Sequence, residues 1–419
     1  MRPASGTAQG IYQCRDGGGI CDAAGYPACG RIRKGGKRMC MTPRERVNMA
    51  LNFKEPDRIP IDWGMSTVSG IHERAYRNLL DYLGMNEEIV ISDAVQRLAR
   101  PSEAILQKFH VDTRYIFCNP PSFWEYHEEE DGSWRDEFGA GYIRTEFYCD
   151  SRKNPLADAE TISDLRAYKM PDPEDPARFK GLRKKAEWLR ENTDYAIVAG
   201  TYPALYYSAW VLRGMENFML DTAADPKFAN YLLDMILDYW KAFMGKYLEE
   251  IGEYIDIMWA GDDWGDQSGP LINPVEFRKN VGPRFKELIQ FMKTKSDAKL
   301  SYHSCGSVTW CLDDFYDWGV DIVQPLQANA YDMDSKKLKK MTYGRMSLHG
   351  GLNNQGVFHL SPDEIRADVC QKICDFGPGG GYLFGSGHNI QANCPPQNIL
   401  EIFQSWEMYG AYPMKNNVE

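Results

Sequence analysis

The 419-residue chain predicts a single (β/α)8 TIM barrel, and three observations predict it. Eight apolar or alternating runs of strand length recur along the chain, most of them followed by a stretch with helical spacing. Strands that alternate with helices build a parallel sheet, and eight of them close into a ring. Polar residues able to do chemistry gather directly after those runs, where barrels of this kind carry their working loops.

The elements follow in order. Thr42-Pro43-Arg44-Glu45 is a helix-start signal, with Thr as N-cap, Pro in the first turn and Glu three residues on, and it opens a helix ending near Asn52. The eight strand runs are Arg58–Asp62, Val111–Ile116, Tyr195–Gly200, Ile255–Ala260, Lys299–His303, Val320–Gln324, Arg345–His349 and Gly381–Phe384. Apolar residues three and four apart (Tyr231, Leu232, Met235, Ile236, Tyr239, Phe243, Leu248) predict a helix over Phe228–Glu250. Pro274–Lys293, Ser307–Trp318, Ser361–Phe376 and Pro396–Tyr409 repeat the pattern. Between the second and third strands, Trp124–Trp134 and Ala140–Tyr148 predict a β-hairpin with an Asp131-Gly132 turn, an insertion on the barrel and not a separate domain.

Residues 1–40 are unlike the rest. They are rich in Gly, Arg, Ala and Cys, lack strand or helix period, and lack the apolar centre of a signal peptide. Cys14, Cys21, Cys29 and Cys40 have irregular gaps, poor for a zinc ribbon. This segment is expected to be a disordered leader or an error in the assigned start, with translation from Met39 or Met41 and the barrel domain over 41–412.

Composition narrows the function. The net charge of −11 and the lack of a long basic run speak against nucleic acids and anionic membranes as partners. Apolar runs fall short of a membrane span. The 11 cysteines form no short disulfide framework, and Cys311, Cys370 and Cys374 fall inside helix patterns, which predicts a reducing, cytoplasmic setting.

The sharpest signal is Ala298–Gly306, where a half-buried strand runs into His-x-Cys-Gly. Side chains alternate along a strand, so His303 and Cys305 point the same way. An imidazole and a soft thiolate aimed at one spot suit zinc better than magnesium or calcium. The plainer reading is a buried Cys beside a hydrogen-bonded His. Other strand ends add Asp62 and Trp63, Tyr202, Asp262-Asp263-Trp264, Gln324, Gly350-Gly351 with Asn353, and His388 with Gln391 and Cys394. A metal set of His303, Cys305 and His388 follows, with Asp262, Asp263, Cys394 or solvent in the fourth position. Asp262, Asp263, Asn353 and Gln391 are the candidate catalytic groups. Gly350-Gly351 after the seventh strand is a candidate phosphate or cofactor cradle.

Together Met41–Val47, Glu55–Pro60, Leu212–Asn217, Gly261-Asp-Asp, His303–Gly306, Gly350–Leu352, Gly379–Tyr382 and His388–Gln391 with Pro395-Pro396 resemble the uroporphyrinogen decarboxylase-like superfamily, over 41 to about 412. Its haem-pathway branch holds a polycarboxylate substrate with arginines after the first strand. The matching stretch here, Asp62–His72, contains none, and carboxylates need bidentate cationic partners. The sequence is more similar to the zinc- and corrinoid-dependent methyltransferase branch, which carries His-x-Cys and a later Cys; His388 stands where that Cys would be. The resemblance implies methyl transfer between a corrinoid, carried by a partner protein, and a thiol or similar acceptor. Trp63, Tyr202 and Trp264, with Gly350 and Gly351, would then line the opening for the corrinoid, and a homo-oligomer is allowed. The alternatives are a porphyrinogen decarboxylase and a non-catalytic metal- or corrinoid-binding protein.

Overall fold

A computed structural model describes residues 41–414 and two dipeptide strands, Tyr12–Gln13 and Ile20–Cys21, which pair antiparallel. The other leader residues, and with them the expectation of disorder or a false start, lie outside the described residues.

The first helix is Pro43–Leu51, with the reciprocal Thr42–Glu45 capping box formed. Seven parallel strands then make one sheet: Thr113–Ile116, Ala196–Ala199, Ile257–Gly261, Lys299–His303, Ile322–Gln324, Ser347–His349 and Tyr382–Leu383, each beside the next. The eighth stave is the first run of the sequence. Ile61 forms a parallel bridge with Phe384, Asp62 N–H donates to the Phe384 carbonyl at 2.9 Å, and Asp112 N–H donates to the Ile61 carbonyl at 2.9 Å. It therefore joins the two edge strands of the sheet and closes the ring. Pro60 lacks an N–H, so this stave cannot build a full ladder.

The strand interiors are buried, as parallel sheets covered by helices require. Pro226–Ile251 is one helix whose buried stripe runs through Leu232, Ile236, Tyr239, Phe243 and Tyr247. The expected helix over Pro274–Lys293 is interrupted: a π-turn at Phe277–Val281 precedes Gly282–Lys293, where Pro283 has no N–H to offer the preceding turn.

The insertion is a three-stranded antiparallel sheet, Ser133–Arg135, Gly141–Arg144 and Cys149–Lys153. Its first hairpin does not turn at Asp131-Gly132. The turn is Asp136–Ala140, where the Asp136 carboxylate accepts from Phe138 N at 3.0 Å and Ala140 N at 2.8 Å. Asp131-Gly132 forms a separate turn just before the first strand. A second small sheet, Ile71–His72, Leu98–Ala99 and Ile91–Asp93, was not expected from the sequence. It packs against the insertion, with Cys149 N donating to the Val95 carbonyl at 2.9 Å. Together they wall one side of the barrel mouth. Among the described residues, no helix is long and apolar enough to cross a membrane.

Candidate metal centre

His303 ends the fifth strand, and its ring is fixed from behind. Gln324, at the end of the sixth strand, donates through Nε2 to the Val68 carbonyl at 3.1 Å. A carbonyl only accepts, so this bond orients the amide and turns Gln324 Oε1 toward His303 Nδ1, 2.5 Å away. His303 Nδ1 therefore carries a proton, which leaves Nε2 as the ring atom that would face a metal. That Nε2 lies 3.5 Å from Cys305 Sγ and 3.4 Å from Asp263 Oδ1.

Cys305 is held by its backbone: its N–H donates to Asp263 Oδ1 at 2.9 Å. The next residue must be glycine. Gly306 has φ +74°, and a Cβ there would sit 2.4 Å from the Gly265 backbone. The eighth loop supplies His388, its ring centre 5.8 Å from that of His303. One ligand atom from each of His303, Cys305 and His388 falls within a span of 4.8 Å. This set of two imidazoles and one thiol fits zinc, with room for an exchangeable fourth ligand.

The electrostatics agree with the geometry. Burial, then the neighbouring His303, lowers the His388 pKa to about 4, so the ring is the neutral ligand form. Burial alone would raise Asp263, but while His303 is protonated its hydrogen bond and charge, with the Cys305 amide, overcome burial and hold the carboxyl at about 2. Burial, then Asp263, pushes the Cys305 thiol well up, so the sulfur needs a cation to become a thiolate.

The other mouth residues divide. Both oxygens of Asp262 are engaged elsewhere: they accept from the Tyr206 and Tyr207 amides, both at 2.6 Å, at the start of helix Leu205–Arg213. It serves as a helix cap and not as the fourth ligand. Asp262→Ala is expected to cost about 1–2 kcal/mol of stability while bound zinc is retained; urea unfolding and metal analysis check both. Cys394 is 1 % exposed and lies apart from the triad, its thiol directed at the Pro395 carbonyl.

Trp63 packs edge-on against Phe109 and Phe403 in the core, not at the opening. Trp264 is fully buried, its Nε1 donating to Tyr302 Oη at 2.8 Å. Aromatic size fills barrel-to-helix packing at both positions. Gly350 and Gly351 have φ +88° and +96°, and a Cβ would strike the Ser386 carbonyl at 2.6 Å or the Phe376 ring at 2.7 Å. They permit close packing of the seventh and eighth loops, not a phosphate cradle. Asn353 Oδ1 caps its own turn by accepting from Gly356 N at 2.9 Å, and Gln391 donates to the Asn389 carbonyl at 3.0 Å. Neither lines the cavity next to the triad.

That cavity, about 490 Å³, is lined by His303, His388, Asp263 and Tyr202 from the barrel. The rest of its wall was missed in the sequence: Asp93 and Gln96 from the second small sheet, Asp136 and Tyr142 from the insertion, Tyr207 and Trp210 from helix Leu205–Arg213. Asp93 in Ile91-Ser-Asp93 stood just past the short apolar run Ile89-Val90-Ile91, the one signal that could have marked it.

Comparison with known proteins adds ancestry. The chain is 39% identical over 274 residues to a uroporphyrinogen decarboxylase of Alkalilimnicola ehrlichii, covering 59% of this chain and 67% of that protein. It is 21% identical over 283 residues to that of Thioalkalivibrio sulfidiphilus, covering 64% and 74%. A solved methyltransferase from Methanosarcina mazei shares the fold, with a TM-score of 0.58 at 16% identity over 88% of this chain and 99% of that one. The sequence model of the family described as uroporphyrinogen decarboxylase (URO-D) matches residues 146–409, well over half of the chain. The chain thus belongs to the uroporphyrinogen decarboxylase (URO-D) family.

Proposed function

We propose that the protein is a zinc-dependent methyltransferase that moves a methyl group between a corrinoid and a thiol or similar acceptor. The observation that carries this reading is the convergence of His303, Cys305 and His388 within 4.8 Å beside a large cavity. Zinc held there would lower the pKa of an incoming thiol so that it arrives as a thiolate near neutral pH.

The protein's own groups prepare that step. Gln324 keeps His303 Nε2 aimed at the site. His388 stays neutral, so it offers a lone pair and not a charge. Asp263 stays ionised and fixes the Cys305 amide. The acceptor sulfur gives its proton to solvent and takes the methyl carbon, while the carbon–cobalt bonding pair remains with the corrinoid. The corrinoid rides on a separate cytoplasmic protein that docks over the mouth.

The named relatives favour a second reading, porphyrinogen decarboxylation. The cavity speaks against it. Among the described residues, neither arginine nor lysine lines the cavity, although a polycarboxylate would need several. The test is purified protein assayed for zinc, then incubated with methylcobalamin and a panel of thiols. Near one zinc per chain and zinc-dependent thioether formation are expected. Protein that cannot bind zinc, or that decarboxylates uroporphyrinogen without it, rules the methyltransferase reading out.

A further inference from the structure

The cavity has a chemical bias that the metal centre does not explain. Its wall carries four carboxylates, Asp93, Asp136, Asp262 and Asp263, and lacks any lysine or arginine among the described residues. None of the four is ion-paired to a lysine or arginine there; Asp93 is satisfied by Gln96, Asp136 by turn amides and Tyr142, Asp262 by helix amides. Interspersed with them are the rings of Phe138, Tyr142, Tyr202, Tyr207, Trp210 and Trp240. Tyr207 keeps 48 % of its surface open, so its face is available to an occupant.

We propose that the small molecule bound beside the metal carries a protonated or quaternary ammonium group, seated among these rings and facing Asp93 and Asp136. This rests on the methyl-transfer reading for the role of the other end of the molecule, and names its substrate class. Three physical terms favour the cation. Aromatic faces carry negative potential and attract ammonium groups within about 6 Å of the ring centre. Carboxylates without a lysine or arginine partner, in a partly dehydrated cleft, attract it further, since charges there are weakly screened. An anionic tail, whether sulfonate or carboxylate, finds no lysine or arginine among the described lining residues, is repelled by the carboxylates and loses its hydration.

The same carboxylates act on the neighbouring tyrosines. Burial, then Asp93 and Asp136, raises the Tyr207 hydroxyl to about 12. Burial, then Asp136, raises that of Tyr142 as well. Asp136 itself is raised to about 6 by burial, a cost that a bound cation would offset. The triad stands at one strand end and on two loops of the barrel, whereas Asp136 and Tyr142 stand on the insertion. A molecule that spans the cavity therefore meets the metal at one end and the acidic aromatic wall at the other.

The first test uses metal-free, full-length protein, so that it does not depend on zinc or on methyl transfer. Choline, its uncharged isostere 3,3-dimethyl-1-butanol and ethanesulfonate are titrated by calorimetry. Choline is expected to bind at least about 10-fold more tightly than the isostere, with ethanesulfonate weakest. In Asp93→Asn/Asp136→Asn, whose amide oxygens can still accept the same backbone hydrogen bonds, that preference should fall several-fold with the circular-dichroism spectrum unchanged. In Tyr207→Leu it should fall too. Equal binding of choline and the isostere, tighter binding of the anion, or a preference that survives in both folded variants overturns the proposal. The second test uses zinc-loaded protein and thiols that differ only in the tail. 2-Aminoethanethiol should outperform 2-mercaptoethanol, and 2-mercaptoethanesulfonate should be poorest; the reverse order also overturns it. Failure of zinc binding with the choline preference intact would instead remove the methyltransferase reading and leave the ammonium site standing.

Discussion

Cys305→Ser is expected to lower bound zinc from one ion per chain to a small fraction and to abolish methyl transfer. A serine hydroxyl stays protonated where a metal-bound thiol does not, and its oxygen is a hard donor in a site built of imidazoles. Two ligands, His303 and His388, would remain. Substitution of outer groups that merely orient a ligand costs roughly 10–100-fold in metal affinity, so loss of the thiol itself should exceed about 100-fold. Gln324→Leu is the graded comparison. It removes the acceptor that fixes the His303 ring at 2.5 Å and should fall within the 10–100-fold range. Cys394→Ser is the control and should keep its zinc, because that thiol packs against the Pro395 carbonyl. Mass-spectrometric metal analysis of folded protein at equal zinc exposure decides the matter. Stoichiometric zinc in Cys305→Ser would show that the thiol is an ordinary buried side chain.

The same triad marks what could be read from the sequence. The eight staves follow from apolar runs of strand length, and the period of two within a strand aims His303 and, one step beyond it, Cys305 in one direction. His388 was found because it lies directly after the eighth run. Periodicity stops at the strand end, however. Asp262 and Asp263 are adjacent in an irregular loop, and only the fold shows that the first caps a helix while the second meets His303. Trp63 and Trp264 were misjudged for a related reason. A residue just beyond a strand can turn inward to the mouth or outward to the helix layer, and a large ring is rewarded by burial in either place. The far wall of the cavity was hidden more deeply. Asp93, Asp136 and Tyr142 belong to small antiparallel sheets whose position over the barrel depends on tertiary contacts such as Cys149 to Val95. The hairpin turn was misplaced because Asp131-Gly132 has a strong turn signature, whereas the actual turn is organised by the Asp136 side chain.

The other large effect is expected at the opposite end of the barrel. Asp112 lies just before the second strand and is completely buried. Its carboxylate receives Arg46 Nη1 at 2.6 Å, Arg58 at 2.7 and 2.9 Å, and the Ile61 amide at 2.8 Å. It thereby clamps the first helix and the first stave onto the second strand, at the seam where Pro60 denies the sheet a full ladder. Asp112→Ala should cost about 3–5 kcal/mol, the usual result of removing one partner from a buried ionic cluster. The loss will not fall evenly on the donors. Arg58 is partly exposed, can turn to water and already lies over the Trp406 ring at 4.6 Å. Arg46 keeps Asp57 and the Met41 carbonyl. The Ile61 amide has no such recourse, and an unpaired buried N–H alone costs about 1–3 kcal/mol. Asp112→Asn, which can still accept from that amide, should therefore lose less stability than the alanine variant. Urea unfolding midpoints give the ranking, and zinc binding by the folded fraction should be unchanged, since the triad stands at the far end of the strands. A loss below about 1 kcal/mol in Asp112→Ala would mean that the seam is held by packing of Ile59 and Ile61 alone, with the ion cluster incidental to closure.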